Sequence, residues 1–184
     1  MIVAFSTSSP LASVAIISSN GHVLASSEEL APMRASGACL SLLSALLSTL
    51  GLKLSDAELF ASDLGPGSFT GVKVGVTLAK TLAFANGKQA AGAMSFDLID
   101  PQGLVVLPSK KGEWFIRRPG EAAFRSADLP DEAFSGYGAG IEPFTYPRAE
   151  CFAALHLERM APELLAPSYL MEPSISIPKK PFSA

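Results

Sequence analysis

The chain has 184 residues and a formal net charge of −3 at pH 7, with 48% apolar and 17% charged residues. A net-negative chain whose longest basic runs are the pairs Lys110–Lys111, Arg117–Arg118 and Lys179–Lys180 is not built to grip a nucleic-acid backbone by itself. A charged share below the ~25% of ordinary soluble domains points instead to surface that a partner covers.

No charged residue precedes Glu28, but Ser6–Pro10 and Ser18–Gly21 break the apolar runs into strand-sized pieces rather than a secretory h-region. No stretch approaches the ~18 apolar residues of a membrane span. Cys39 and Cys151 lie far apart in helix-like contexts, which fits a reducing compartment. The expectation is a cytoplasmic protein with no membrane contact and no strong nucleic-acid binding of its own.

Met1–Phe5, Leu11–Ile17 and His22–Ser27 are expected strands, and Ser19-Asn20-Gly21 is a hairpin turn signal. Ser36–Leu50 is an expected helix, with Ser36 as N-cap and Gly51 just past its end. Its apolar residues Cys39, Leu40, Leu42, Leu43, Leu46, Leu47 and Leu50 follow helical spacing. Nothing charged lies between Arg34 and Lys53, so this helix is expected to be buried on two sides. A short strand, Leu59–Asp63, leads into Gly65-Pro66-Gly67-Ser68-Phe69-Thr70-Gly71 and a second helix, Val72–Ala85, ending at Asn86-Gly87. Gly71, Gly75, Ala79 and Ala83 recur every fourth residue and give that helix a smooth edge against which another helix can pack.

Beyond Gln89 prolines become frequent. Leu104–Leu107, Trp114–Arg117 and Ala122–Arg125 are expected strands, and Arg148–Met160 an expected last helix with Cys151, Phe152, Leu155 and Met160 as its stripe. The organisation is a first lobe over residues 1–90, a smaller second lobe over 91–172 and an extended tail over 173–184.

The glycine loop before a helix suits an anion, because glycines let backbone approach a ligand and a helix N-terminus favours negative charge. It is not a Walker A loop and misses the dinucleotide G-x-G-x-x-G spacing by one residue. The other reading is a tight strand-to-helix connection packed against a neighbour.

The segment Ala61–Ala83, ASDLGPGSFTGVKVGVTLAKTLA, resembles the signature of the TsaB (YeaZ) family. Ile2–Ser8, IVAFSTS, and Ser13–Ile16, SVAI, resemble the family's opening strands. Ala166-Pro167-Ser168-Tyr169-Leu170 resembles its closing Pro-x-Tyr-Leu. The resemblance implies an α/β fold of the actin-like (ASKHA, ribonuclease H-like) class, here with a complete first lobe and a reduced second one. It also implies a non-catalytic scaffold in threonylcarbamoyladenosine modification of tRNA, dimerising with a TsaD-like paralogue, joined by a TsaE-like ATPase, and homodimeric when alone.

The family pairs through helices equivalent to Ser36–Leu50 and Val72–Ala85. The expected interface is therefore Leu40, Leu43, Leu46, Leu47, Leu50, Gly75, Leu78, Ala79 and Leu82. A Leu46→Asp substitution is expected to abolish association. Gly65, Gly67, Ser68, Thr70 and Gly71 would form a vestigial phosphate loop. No catalytic residue, cofactor or metal is expected: the family's acidic residue before Thr-Ser is Ser6 here, and His22 and His156 are the only histidines. The family's Asp-Ala-Arg stretch is replaced by Pro108-Ser109-Lys110-Lys111, and the helix begins at Ala35-Ser36-Gly37 instead of a His-Ser pair. The rival reading is an ATP-binding phosphotransferase or metallopeptidase-like enzyme of the same superfamily.

Overall fold

A computed structural model describes residues 1–110 and 112–170. The expected tail over 173–184 lies outside the described residues. Five strands form the first sheet: β1 (Ile2–Ser6), β2 (Leu11–Ile17), β3 (Val23–Leu30), β4 (Leu59–Asp63) and β5 (Gln89–Ala93). Their order is β3-β2-β1-β4-β5, with β1–β2 and β2–β3 antiparallel and β1–β4 and β4–β5 parallel.

The opening meander forms as the turn residues predict. Gly21 adopts φ 84° in the turn before β3, which extends three residues further than expected, to Leu30. Strand β5 was not apparent in the sequence. Its residues, QAAGA, lack the β-branched side chains that mark strands, yet a parallel strand between packed layers needs only to be small and apolar.

Two helices lie on one face of this sheet. Helix α1 (Ala35–Leu50) starts without a side-chain cap, so Ser36 is not its N-cap, and ends at Gly51 in the left-handed conformation. Helix α2 (Phe69–Ala85) starts three residues earlier than expected, because Ser68 caps it by accepting from the Gly71 amide. Val3, Phe5, Val14, Phe60, Cys39, Leu43, Leu46, Val76 and Ala79 form the core between helices and sheet. Burying each large apolar side chain here contributes roughly 1.5–3 kcal/mol.

The other face is covered from far along the chain. The expected helix over Arg148–Met160 is instead a short 3₁₀ helix, Ala149–Ala154, followed by extended backbone. Phe152 and Ala149 pack there against Ala4, Ala15, Ile17, Leu59 and Ala91. An apolar spacing of three or four residues fits a 3₁₀ turn as well as an α-helix, and Pro162 bounds the segment. Met160 then pairs with Ala90 through two backbone hydrogen bonds of 2.8 and 2.9 Å. Among the described residues no strand pairs with the outer edge of β3.

A second sheet of order β8-β7-β6-β9 is built from β6 (Val105–Pro108), β7 (Trp114–Arg117), β8 (Phe124–Ser126) and β9 (Ser135–Gly136). Phe115 is buried in its core with Val105, Leu107, Phe96 and Tyr137. Asp100 accepts from the Gln102 and Gly103 amides. No helix among the described residues is long and apolar enough to cross a membrane.

Candidate functional site: a buried carboxyl among serines

The parallel pairing of β1 with β4 aligns Phe5 with Ser62, so the next residues along, Ser6 and Asp63, become neighbours at the ends of the strands. Ser6 Oγ lies 2.9 Å from Asp63 Oδ2 and 3.0 Å from the Pro147 carbonyl oxygen. Ser8 Oγ lies 2.5 Å from the same Oδ2. Ser95, just past β5, places its Oγ 2.6 Å from Oδ1 and 3.0 Å from Ser8 Oγ. The Gly65 amide donates to Oδ1 at 2.8 Å. Ser6, Ser8, Asp63 and Ser95 have no exposed surface.

The carboxyl at this end of the sheet thus comes from β4, with a serine facing it from β1. Burial raises the Asp63 pKa above the ordinary carboxylate value and outweighs the hydrogen bonds from Ser8, Ser95, Gly65 and Ser6, which lower it. Tyr137 reaches toward the cluster from beside β9, its hydroxyl 3.4 Å from the Ser8 carbonyl. Its pKa is also raised, by burial first and then by the charge of Asp63.

The glycine loop is folded onto the turn after β1. The Ser68 amide donates to the Ser8 carbonyl at 2.7 Å, the Gly71 amide to Ser68 Oγ at 3.2 Å, and Thr7 Oγ1 to the Gly71 carbonyl at 2.7 Å. A side chain at Gly67 or Gly71 would meet the Ser8 or Thr7 carbonyl oxygen at 2.2 or 2.0 Å. The amides of Gly65, Ser68 and Gly71 therefore face acceptors of the chain itself, and the geometry is that of a tight connection. Thr70 stands exposed on the first turn of α2.

The small-residue row of α2 also finds its reason here. Gly75 faces Thr7 Oγ1 and Ser62 Oγ, and Gly71, Ala79 and Ala83 are buried, so this edge lets α2 lie close on the sheet rather than on another helix.

Of the expected interface residues, Leu43, Leu46, Gly75 and Ala79 are buried within the chain itself. Leu40 is 49% exposed. Leu47, Leu50, Leu78 and Leu82 are partly buried against the core, with part of each side chain open. Within the chain α1 is buried on one side only. Its outward side carries Gly37, Leu40, Ser41, Ser44, Ala45, Ser48 and Thr49, without a charge.

Asp63, Ser8 and Ser95 escaped the sequence reading. The signal available was one acidic residue ending an otherwise apolar strand directly before the glycine loop.

A profile of the TsaD family, described as tRNA N6-adenosine threonylcarbamoyltransferase, matches residues 28–99. No curated protein gives a significant match. Among solved structures, YeaZ from Pseudomonas aeruginosa superposes with a TM-score of 0.74 at 21% identity, covering 92% of this chain and 99% of the other. A second, of an uncharacterized protein described as similar to peptidase YEAZ from Pseudomonas aeruginosa, superposes with a TM-score of 0.78 at 20% identity and the same coverage. The chain is therefore similar in fold to YeaZ along nearly its whole length, and similar in sequence to TsaD from the end of β3 to the turn after β5.

Proposed function

We propose that this chain is a TsaB-type, non-catalytic subunit that supports a TsaD-type transferase in threonylcarbamoyladenosine modification of tRNA. Its contact surface is the outward side of α1 and α2. It takes the transferase as a heterodimer partner, self-associates when the transferase is absent, and works alongside a TsaE-like ATPase.

The observation that carries this reading is the charge-free outward side of α1 beside the half-open leucines of both helices. A helix packed on a sheet normally keeps its charges on that outer side, and apolar interface cores are depleted of charge. The YeaZ-like fold and the TsaD match, which spans both helices, support it further. For the rival enzyme reading, the acidic group nearest the glycine loop is Asp63, and its carboxyl is wholly enclosed by donors rather than turned to a substrate.

The test is light scattering after size exclusion, with the chain alone and mixed with the TsaD-type protein of its host. Leu40→Asp leaves the core intact because Leu40 is half exposed. Burying the unpaired charge in the contact costs about 3 kcal/mol, more than a hundredfold in Kd. The expected result is a wild-type dimer that exchanges into a heterodimer and a folded variant that stays monomeric. A wild-type monomer that ignores the transferase, or a variant that associates normally, would sink the reading.

A further inference from the structure

We infer that Lys73 makes the outward face of α1 and α2 selective, so that it takes a transferase-type partner presenting a carboxylate there in preference to a second copy of the chain. The inference rests on the scaffold reading and concerns the same surface. Both helices follow strands that end at the same end of the first sheet, and both run back along it side by side. Leu40 and Lys73 lie about 7.5 and 6 Å along the helices that begin at Ala35 and Phe69. The cation therefore stands level with the charge-free side of α1.

Neither helix contains an aspartate or glutamate, and their only charged residues are Lys73 and Lys80. Lys80 is engaged by the chain itself, donating to the Glu163 and Leu165 carbonyls at 2.8 and 3.3 Å. Lys73 is exposed and, among the described residues, makes no ion pair or hydrogen bond. Its Nζ instead stands 3.9 Å from the centre of the Phe69 ring, on which Tyr169 packs at 5.3 Å. A ring face holds an ammonium in place without neutralising it, so the donors are positioned in advance for an anion. A second copy would bring another uncharged α1 and another Lys73, with no carboxylate from either helix. Both ammoniums would then lose water without gaining a counter-charge. A carboxylate on the partner turns the same burial into an attraction and fixes the register of the contact.

Sedimentation equilibrium of the full chain, alone and with the TsaD-type protein of its host, tests this on wild type, Lys73→Met and Lys73→Arg. Lys73→Met keeps the apolar stem and removes the charge at an exposed position. It is expected to weaken the heterodimer about fivefold and to tighten the homodimer about threefold, the scale of one exposed charge pair. Lys73→Arg is expected to keep the wild-type preference. Added salt should weaken the wild-type heterodimer and act much less on the Lys73→Met heterodimer. A heterodimer that Lys73→Met leaves unchanged, or equal changes in both affinities, would overturn the inference while the scaffold reading stands. A wild-type chain that takes up no transferase would instead remove both.

Discussion

Replacing Asp63 by alanine is expected to lower the unfolding free energy by about 3 kcal/mol, or about 10 °C in Tm for a chain of this size. The carboxyl accepts from the Gly65 amide and sits within hydrogen-bond distance of three buried hydroxyls. Without it Ser6 can still turn to the Pro147 carbonyl, and Ser8 and Ser95 to each other, but the Gly65 amide keeps no acceptor in the cluster. That partial re-pairing holds the loss near 3 kcal/mol rather than the larger sum of four orphaned donors. Urea unfolding measures it, and a loss under about 1 kcal/mol would mean that the cluster is not a fastening point.

Acidity separates the acceptor role of Asp63 from the cost of its charge. Its pKa is raised in the folded chain above the ordinary 3.8, so the folded state holds the proton more tightly than the unfolded state. The resulting stability is complete below the ordinary value and is lost as pH rises through the raised one. Measured against Asp63→Asn, wild type should therefore gain stability as pH falls through that window, by at most about 1.4 kcal/mol per pH unit. The opposite slope would show that the four hydrogen bonds outweigh burial.

Gly71→Ala is the second large effect, with an expected loss of about 3 kcal/mol by urea unfolding. The new methyl would stand 2.0 Å from the Thr7 carbonyl oxygen, which belongs to backbone and cannot rotate aside. Either α2 lifts from the sheet or the turn carrying Ser8 shifts and loosens the Asp63 cluster. Gly37→Ala is the control: nothing lies within 4 Å of the added atom, so the variant should unfold no more easily than wild type. Equal losses for both would mean that the close approach of α2 to β1 is unimportant.

The meander, both helices and β4 were legible because local signals and tertiary demands agree there. Asn20-Gly21 turns the hairpin, Gly51 ends α1, and alternate or 3.6-spaced apolar residues fill the intervening elements. The cluster was not legible, because Ser6, Asp63 and Ser95 come together only through the parallel pairings of β1, β4 and β5. Strand β5 itself, QAAGA, gives no periodic signal from which to place Ser95. The leucines of α1 show a different limit. Helical spacing told which residues share a stripe, but Leu43 and Leu46 on the core side and Leu40 on the outer side are the same residue type. The absence of charge marked the outer side as unusual without saying which leucines faced it.

The covering of the first sheet by Ala149–Ala154 and Met160 ties the beginning of the chain to its far end. On a ribosome the five strands of that sheet emerge long before Phe152, and until then Ala4, Ala15, Ile17 and Leu59 face water on the uncovered side. Chains generally fold in the order in which they are made. Here the first sheet cannot be covered on both of its faces until the residues that build the second sheet have also been synthesised. The two sheets are thus bound into one maturation event, and a nascent chain halted between them exposes an apolar surface for chaperones to hold.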